Sequence, residues 1–187
     1  MPSPPHTSCK LTVKWRTNDM EKGGRYSLNV IGAGGIGSWL MHALVRPARR
    51  FADANKAHLH IRIYDSDKVD ESNVHHQNFT PTDVGMKKVE ALFEQLSGFN
   101  GGNLTLEACP WDVRTEDDFQ MADLTIVAID SPDCRALVAS SSKAGKWAIC
   151  TCAGDSFLFL TEDSADSAIS MVTQPNQGAA SCQLPGA

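Results

Sequence analysis

The sequence predicts an α/β fold: a doubly wound, mostly parallel sheet with an antiparallel C-terminal continuation. Three observations carry this. Strand-like apolar runs alternate with stretches of helical spacing from residue 26 to residue 150. The run Leu124-Thr125-Ile126-Val127-Ala128-Ile129 is almost continuously apolar, as suits a parallel strand covered on both faces. Between the first strand and the first helix stands Gly32-Ala33-Gly34-Gly35-Ile36-Gly37, the strand-to-helix turn of Rossmann-like sheets.

Each element follows from its residues. Tyr26 to Ile31 reads as a strand running into the glycine turn, and from Gly35 a helix is expected with Ile36, Trp39, Leu40, Ala43 and Leu44 inward and Pro47 ending or kinking it. Leu59 to Tyr64 is the second strand, followed by a long polar connection over 66–84. A helix is expected over Gly85 to Leu96 with Val89, Leu92 and Phe93 inward, a third strand over Leu104 to Leu106, and a short acidic helix over Thr115 to Met121. After the fourth strand come a helix over Arg135 to Ala144 and a fifth strand over Trp147 to Cys150. Two further strands, Phe157 to Leu160 and Ala168 to Val172, have no helix between them and are expected antiparallel. Residues 1–24 are expected to be a tail, a short edge strand or hairpin arm (Leu11 to Trp15) and a linker, and 25–187 a single domain.

A chain of 187 residues suffices for one sizeable core. Its net charge of −5 argues against a nucleic-acid-coating surface, which needs a cationic face. No apolar run approaches membrane-spanning length and the Pro-rich start lacks a signal-peptide core, so a cytoplasmic protein with no membrane partner is expected. The six cysteines are scattered, which reads as reduced thiols.

Glycines at 32, 34, 35 and 37 let the backbone turn tightly and approach a phosphate, with the helix N-terminus offering unpaired N–H groups. Asp65, at the end of the second strand, suits ribose hydroxyls. These features alone do not separate NAD from ATP, and an NAD-dependent oxidoreductase stays open on them.

The connection after Asp65 adds more. Asp65-Ser66-Asp67-Lys68-Val69, Ser72-Asn73-Val74-His75-His76-Gln77, Gly85-Met86-Lys87-Lys88 and Ile129-Asp130 follow the glycine turn in order. Together, over about residues 26–160, they resemble the ThiF/MoeB/HesA family, whose fold is shared with ubiquitin-activating enzymes. The resemblance implies ATP-dependent adenylation of a carboxylate, typically the C-terminus of a ubiquitin-like or sulfur-carrier protein, in a homodimer or a heterodimer. It implies that Lys88 binds phosphate, that Asp130 holds Mg²⁺, that Asn73, Gln77 and Asp67 help to hold the nucleotide, and that Asp65 grips the ribose. His76 stands where the family has an arginine, so it takes the catalytic position beside the phosphates without a bidentate fork. The family's paired Cys-x-x-Cys motifs are missing, so no zinc is expected. A non-catalytic nucleotide-binding or partner module of the same fold is the alternative. His58 and His60 share a strand face, and the four tryptophans form no stripe; core or interface roles are expected for them.

Overall fold

A computed structural model describes residues 23–153 and 156–174. The elements run β1 (Arg25–Ile31), α1 (Gly35–Asn55), β2 (His58–Tyr64), α2 (Lys88–Leu96), β3 (Leu104–Cys109), β4 (Leu124–Val127), α3 (Pro132–Ser140), β5 (Lys146–Ala153), β6 (Ser156–Thr161) and α4 (Asp166–Thr173). Leu11 to Trp15, Cys9 and Cys182 lie outside the described residues.

The six strands form one sheet in the order β3-β2-β1-β4-β5-β6. All neighbours are parallel except β5 and β6. Val30 pairs with Ile63 on one side and Ile126 on the other, so β1 sits where the chain order reverses. In doubly wound sheets the crevice at that reversal, at the carboxyl ends of the strands, is where ligands bind. Two cores flank the sheet. Leu28, Val30, Ile61, Ile63, Leu104 and Leu106 pack beneath α1 and α2. Ile31, Val127 and Ile149 pack on the other side with Val138 of α3 and Val172 of α4.

The parallel strands and antiparallel β6 follow the expected plan, and five helical elements depart from it, one of them in place of an expected strand. First, α1 continues through Pro47 to Asn55, ending on Lys56 in a left-handed cap at φ 51°. Pro47 is exposed, so the carbonyl it leaves without a donor is on the solvent side. Its buried line is Gly37, Ser38, Met41, Val45, Ala48 and Ala52, while Trp39 is 57% exposed and Ala43 is also exposed. The small residues bring the helix close to the sheet, so the largest apolar side chains fall on its flanks. Second, α2 begins at Lys88, not Gly85, which has φ +90° and belongs to the turn before it. Third, the acidic helix expected over Thr115 to Met121 is a single 3₁₀ turn, Glu116–Asp118. Asp118 Oδ2 accepts from the backbone N–H groups of Arg114 and Thr115 and from the Thr115 hydroxyl, closing the turn on itself. Fourth, Ala168 to Val172 is no strand: it lies within α4. Ala168, Ile169 and Val172 stand at helical spacing and pack into the core with α3. Fifth, α3 starts three residues before Arg135, with Ser131 as N-cap and Pro132 in its first turn. No helix among the described residues is long and apolar enough to cross a membrane.

Candidate functional site

A cleft of about 340 Å³ opens at the carboxyl ends of β1, β2 and β4. Its floor is the glycine turn. Gly32 has φ +103°, and a Cβ there would lie 2.4 Å from Ile129 Cγ2. A Cβ on Gly37 would lie 1.8 Å from the Gly32 carbonyl oxygen. Both glycines are therefore required by close packing of the turn on itself and on β4. Gly34 differs: it lines the cleft, and a Cβ there would meet no atom within 4 Å. The first turn of α1 has no side-chain cap, so its N–H groups face the cleft floor without intrahelical partners.

Asp65 ties the turn to β2. Its Oδ2 accepts from Ala33 N at 2.7 Å and its Oδ1 from Asp67 N at 2.8 Å. Burial raises its pKa above the ordinary aspartate value, against the lowering effect of those two N–H groups. Lys88 reaches into the same cleft from the start of α2. Its side chain is 9% exposed, and its Nζ lies 2.9 Å from Oδ2 of Asp67, which is 68% exposed. The backbone N–H of Lys88 donates to the Asp67 carbonyl, so α2 and the segment after β2 are fixed to each other. Gln77 is buried, lines the cleft, and has an Oε1 without a hydrogen-bond partner among the described residues. A buried carboxamide atom of this kind wants a ligand or water. Asp130 is exposed on the opposite wall, after β4.

The cleft thus brings together Gly32, Gly34, Gly35, Asp65, Asp67, Gln77, Lys88 and Asp130. Gly37 packs beneath it. Asn73 and His76 are placed elsewhere. Asn73 is buried, and its Oδ1 accepts from Asp70 N, closing the capping box of the Glu71–His75 turn. His76 is exposed and does not line the cleft.

Sequence reading missed the wall built by Asp112, Val113 and Arg114. The third strand was read only as far as Leu106, whereas β3 runs to Cys109. The residues just after its carboxyl end thus lie beyond the apolar signal of the strand, although strand ends are where such sheets bind ligands. Asp112 is held below the usual carboxylate range by hydrogen bonding to Ser66 and by Arg114. Cys134 also lines the cleft, but burial pushes its thiol up to about 12, which leaves it protonated and poorly nucleophilic. Arg135 is buried and does not line the cleft. Its guanidinium donates to the Ile129 carbonyl and the Thr151 hydroxyl, bracing the turn that carries Asp130. His58 and His60 lie on the sheet face with Thr105 and Glu107. Among the described residues, no three His, Cys, Asp or Glu side chains are grouped to hold a metal ion.

Comparison with known proteins places this cleft in a context. Residues 9–186 match the profile of the ThiF family. Ubiquitin-like modifier-activating enzyme 5 of Oryza sativa subsp. japonica is 32% identical over 95 residues, 51% of this chain and 20% of that protein. The E. coli tRNA N6-threonylcarbamoyladenosine dehydratase TcdA, solved in complex with ATP, is 27% identical with a TM-score of 0.50, covering 61% of this chain and 45% of that one. E. coli MccB, solved with AMPCPP and MccA, shares the fold at 19% identity and a TM-score of 0.56, covering 72% of this chain and 39% of that one. The chain therefore spans about a fifth of the curated relative and under half of these structures. With the profile match running nearly end to end over the strand order found here, the chain belongs to the ThiF family.

Proposed function

We propose that this domain binds ATP with Mg²⁺ and activates a carboxylate by adenylation, the substrate being the C-terminus of a ubiquitin-like or sulfur-carrier protein. The observation that carries the reading is the convergence of Gly34, Asp65, Gln77, Lys88 and Asp130 on one cleft at the strand ends. The ATP complex of TcdA and the name of the rice relative support the nucleotide and the substrate class respectively. Assembly with a second copy or a longer partner chain belongs to the same proposal.

In this reading a carboxylate oxygen attacks the α-phosphorus, the bond to the bridging oxygen breaks, and pyrophosphate leaves. Lys88 exchanges its contact with Asp67 for one with a phosphate oxygen, which costs little because Asp67 stays solvated. Gln77 presents its unpartnered carboxamide, by oxygen or by NH₂. Asp65 accepts from the ribose while holding Ala33 in place. Asp130 fits a Mg²⁺ site, since that ion takes one or two carboxylates and completes its shell with phosphate and water. When bound, Mg²⁺ neutralises charge on the phosphates. Rate enhancement then comes mainly from positioning and electrostatics.

The raised pKa of Asp65 sets a direction for pH. The ionised form accepts from both Ala33 N and the ribose, so affinity is present above that pKa and is lost as pH falls through it. Nucleotide affinity is expected to fall on acidification at a higher pH than an ordinary aspartate would give. Asp65→Asn should flatten the profile. A titration of ATP affinity against pH checks this, and an unchanged profile in the variant counts against Asp65.

One observation favours a second reading. His76 is exposed and is not among the residues lining the cleft, and it stands where the family has an arginine, so it brings no guanidinium to the phosphates. That suits a nucleotide-binding partner module without catalysis. Exchange of labelled pyrophosphate into ATP, with carrier-protein C-termini supplied, separates the two. Exchange is expected for the enzyme, whereas ATP binding with no exchange supports the module.

A further inference from the structure

The lining of the cleft is short of positive charge for a polyphosphate. Four carboxylates, Asp65, Asp67, Asp112 and Asp130, face two cations, Lys88 and Arg114. Arg114 belongs to none of the sequence elements that matched the family. We propose that Arg114 is the second phosphate-binding cation of this site, contacting the polyphosphate of a nucleoside triphosphate beside Lys88. The inference rests on the ATP-binding reading above.

The geometry makes the two cations a pair. Lys88 is held by Asp67, and Arg114 Nη2 lies 2.6 Å from Asp112 Oδ2. Asp112 in turn hydrogen-bonds Ser66, the residue between Asp65 and Asp67. Both cations are thus tied to the short segment after β2, Lys88 through Asp67 and Arg114 through Asp112 and Ser66. Arg114 is fixed at its backbone, where its N–H donates to Asp118 Oδ2 at 3.0 Å. Its side chain is 80% exposed and its only side-chain partner among the described residues is Asp112. It can leave that exposed contact at small cost. A guanidinium gives bidentate contact with phosphate oxygens. Among the lining residues no other side chain can do this, and His76 is not one of them.

The test is calorimetric titration of the full chain and its Arg114→Ala, Arg114→Gln and Arg114→Lys variants with ATP–Mg²⁺, AMP and adenosine. Arg114→Ala and Arg114→Gln are expected to weaken ATP by about tenfold, AMP by less and adenosine not at all. Arg114→Lys is expected to keep part of the loss from appearing. If the Ala and Gln variants bind ATP as the native chain does, or lose adenosine as much as ATP, the proposal is overturned while the ATP-binding reading stands. A native chain that binds no ATP removes both.

Discussion

Replacing Lys88 with alanine is expected to lower ATP–pyrophosphate exchange by about 10²–10³-fold, the loss typical of removing a preorganised electrostatic contact. The fold should survive. Lys88 is the first residue of α2, where alanine is a good helix former, and its backbone bond to the Asp67 carbonyl does not depend on the side chain. Asp67 is 68% exposed, so the change strands no buried carboxylate. The melting temperature should shift by no more than about 4 °C. Exchange rates and thermal unfolding on the same preparations check this. Exchange that persists at the native rate would mean that Lys88 does not touch the phosphates.

Gly37→Ala and Gly34→Ala are expected to fail in opposite ways. At Gly37 the new methyl would lie 1.8 Å from the Gly32 carbonyl oxygen, so the turn and α1 must separate. That overpacking is expected to cost about 3 kcal/mol or more, which lowers the melting temperature by about 6–12 °C or more. At Gly34 the methyl meets nothing within 4 Å, so the fold is expected to hold. The methyl nevertheless points into the space through which a phosphate would approach the N-terminus of α1, and nucleotide affinity should drop by about tenfold or more. Thermal melts and ATP titrations of the two variants separate the roles. A Gly34→Ala protein that binds ATP like the native chain would show that phosphate does not approach this turn.

The sheet and the glycine turn were legible because both rest on local signals. Alternating apolar runs and Gly32 to Gly37 need no tertiary knowledge to place β1, β2, β4 and α1. The register of α1 was legible only in part: Leu40 and Leu44 pack against the core as expected, but the buried line through Met41 and Val45 is completed by Gly37, Ser38, Ala48 and Ala52, whose weak apolar signal left Trp39 and Ala43 to draw the face toward solvent. Ala168 to Val172 is short and apolar, a pattern that suits strand and helix alike until packing against α3 decides. In the cleft, Asp65 and Lys88 were found by motif. The motif also brought in His76 and Asn73, of which one faces solvent and the other caps a turn. Their placement depends on how the 3₁₀ turn of Glu71–His75 lies on the domain, which spacing does not encode. Asp112 and Arg114 were missed because the alternation of β3 weakens from leucine to the small residues Ala108 and Cys109, which do not mark where the strand ends.

Calorimetric titration of the native chain with ATP–Mg²⁺, AMP and NAD in parallel tests the central claim most directly. The arrangement of Gly34, Asp65, Lys88 and Asp130 predicts that ATP–Mg²⁺ binds one molecule per chain, and more tightly than AMP because the polyphosphate reaches the cations. NAD should compete poorly. Binding of NAD with no detectable binding of ATP–Mg²⁺ would contradict the account.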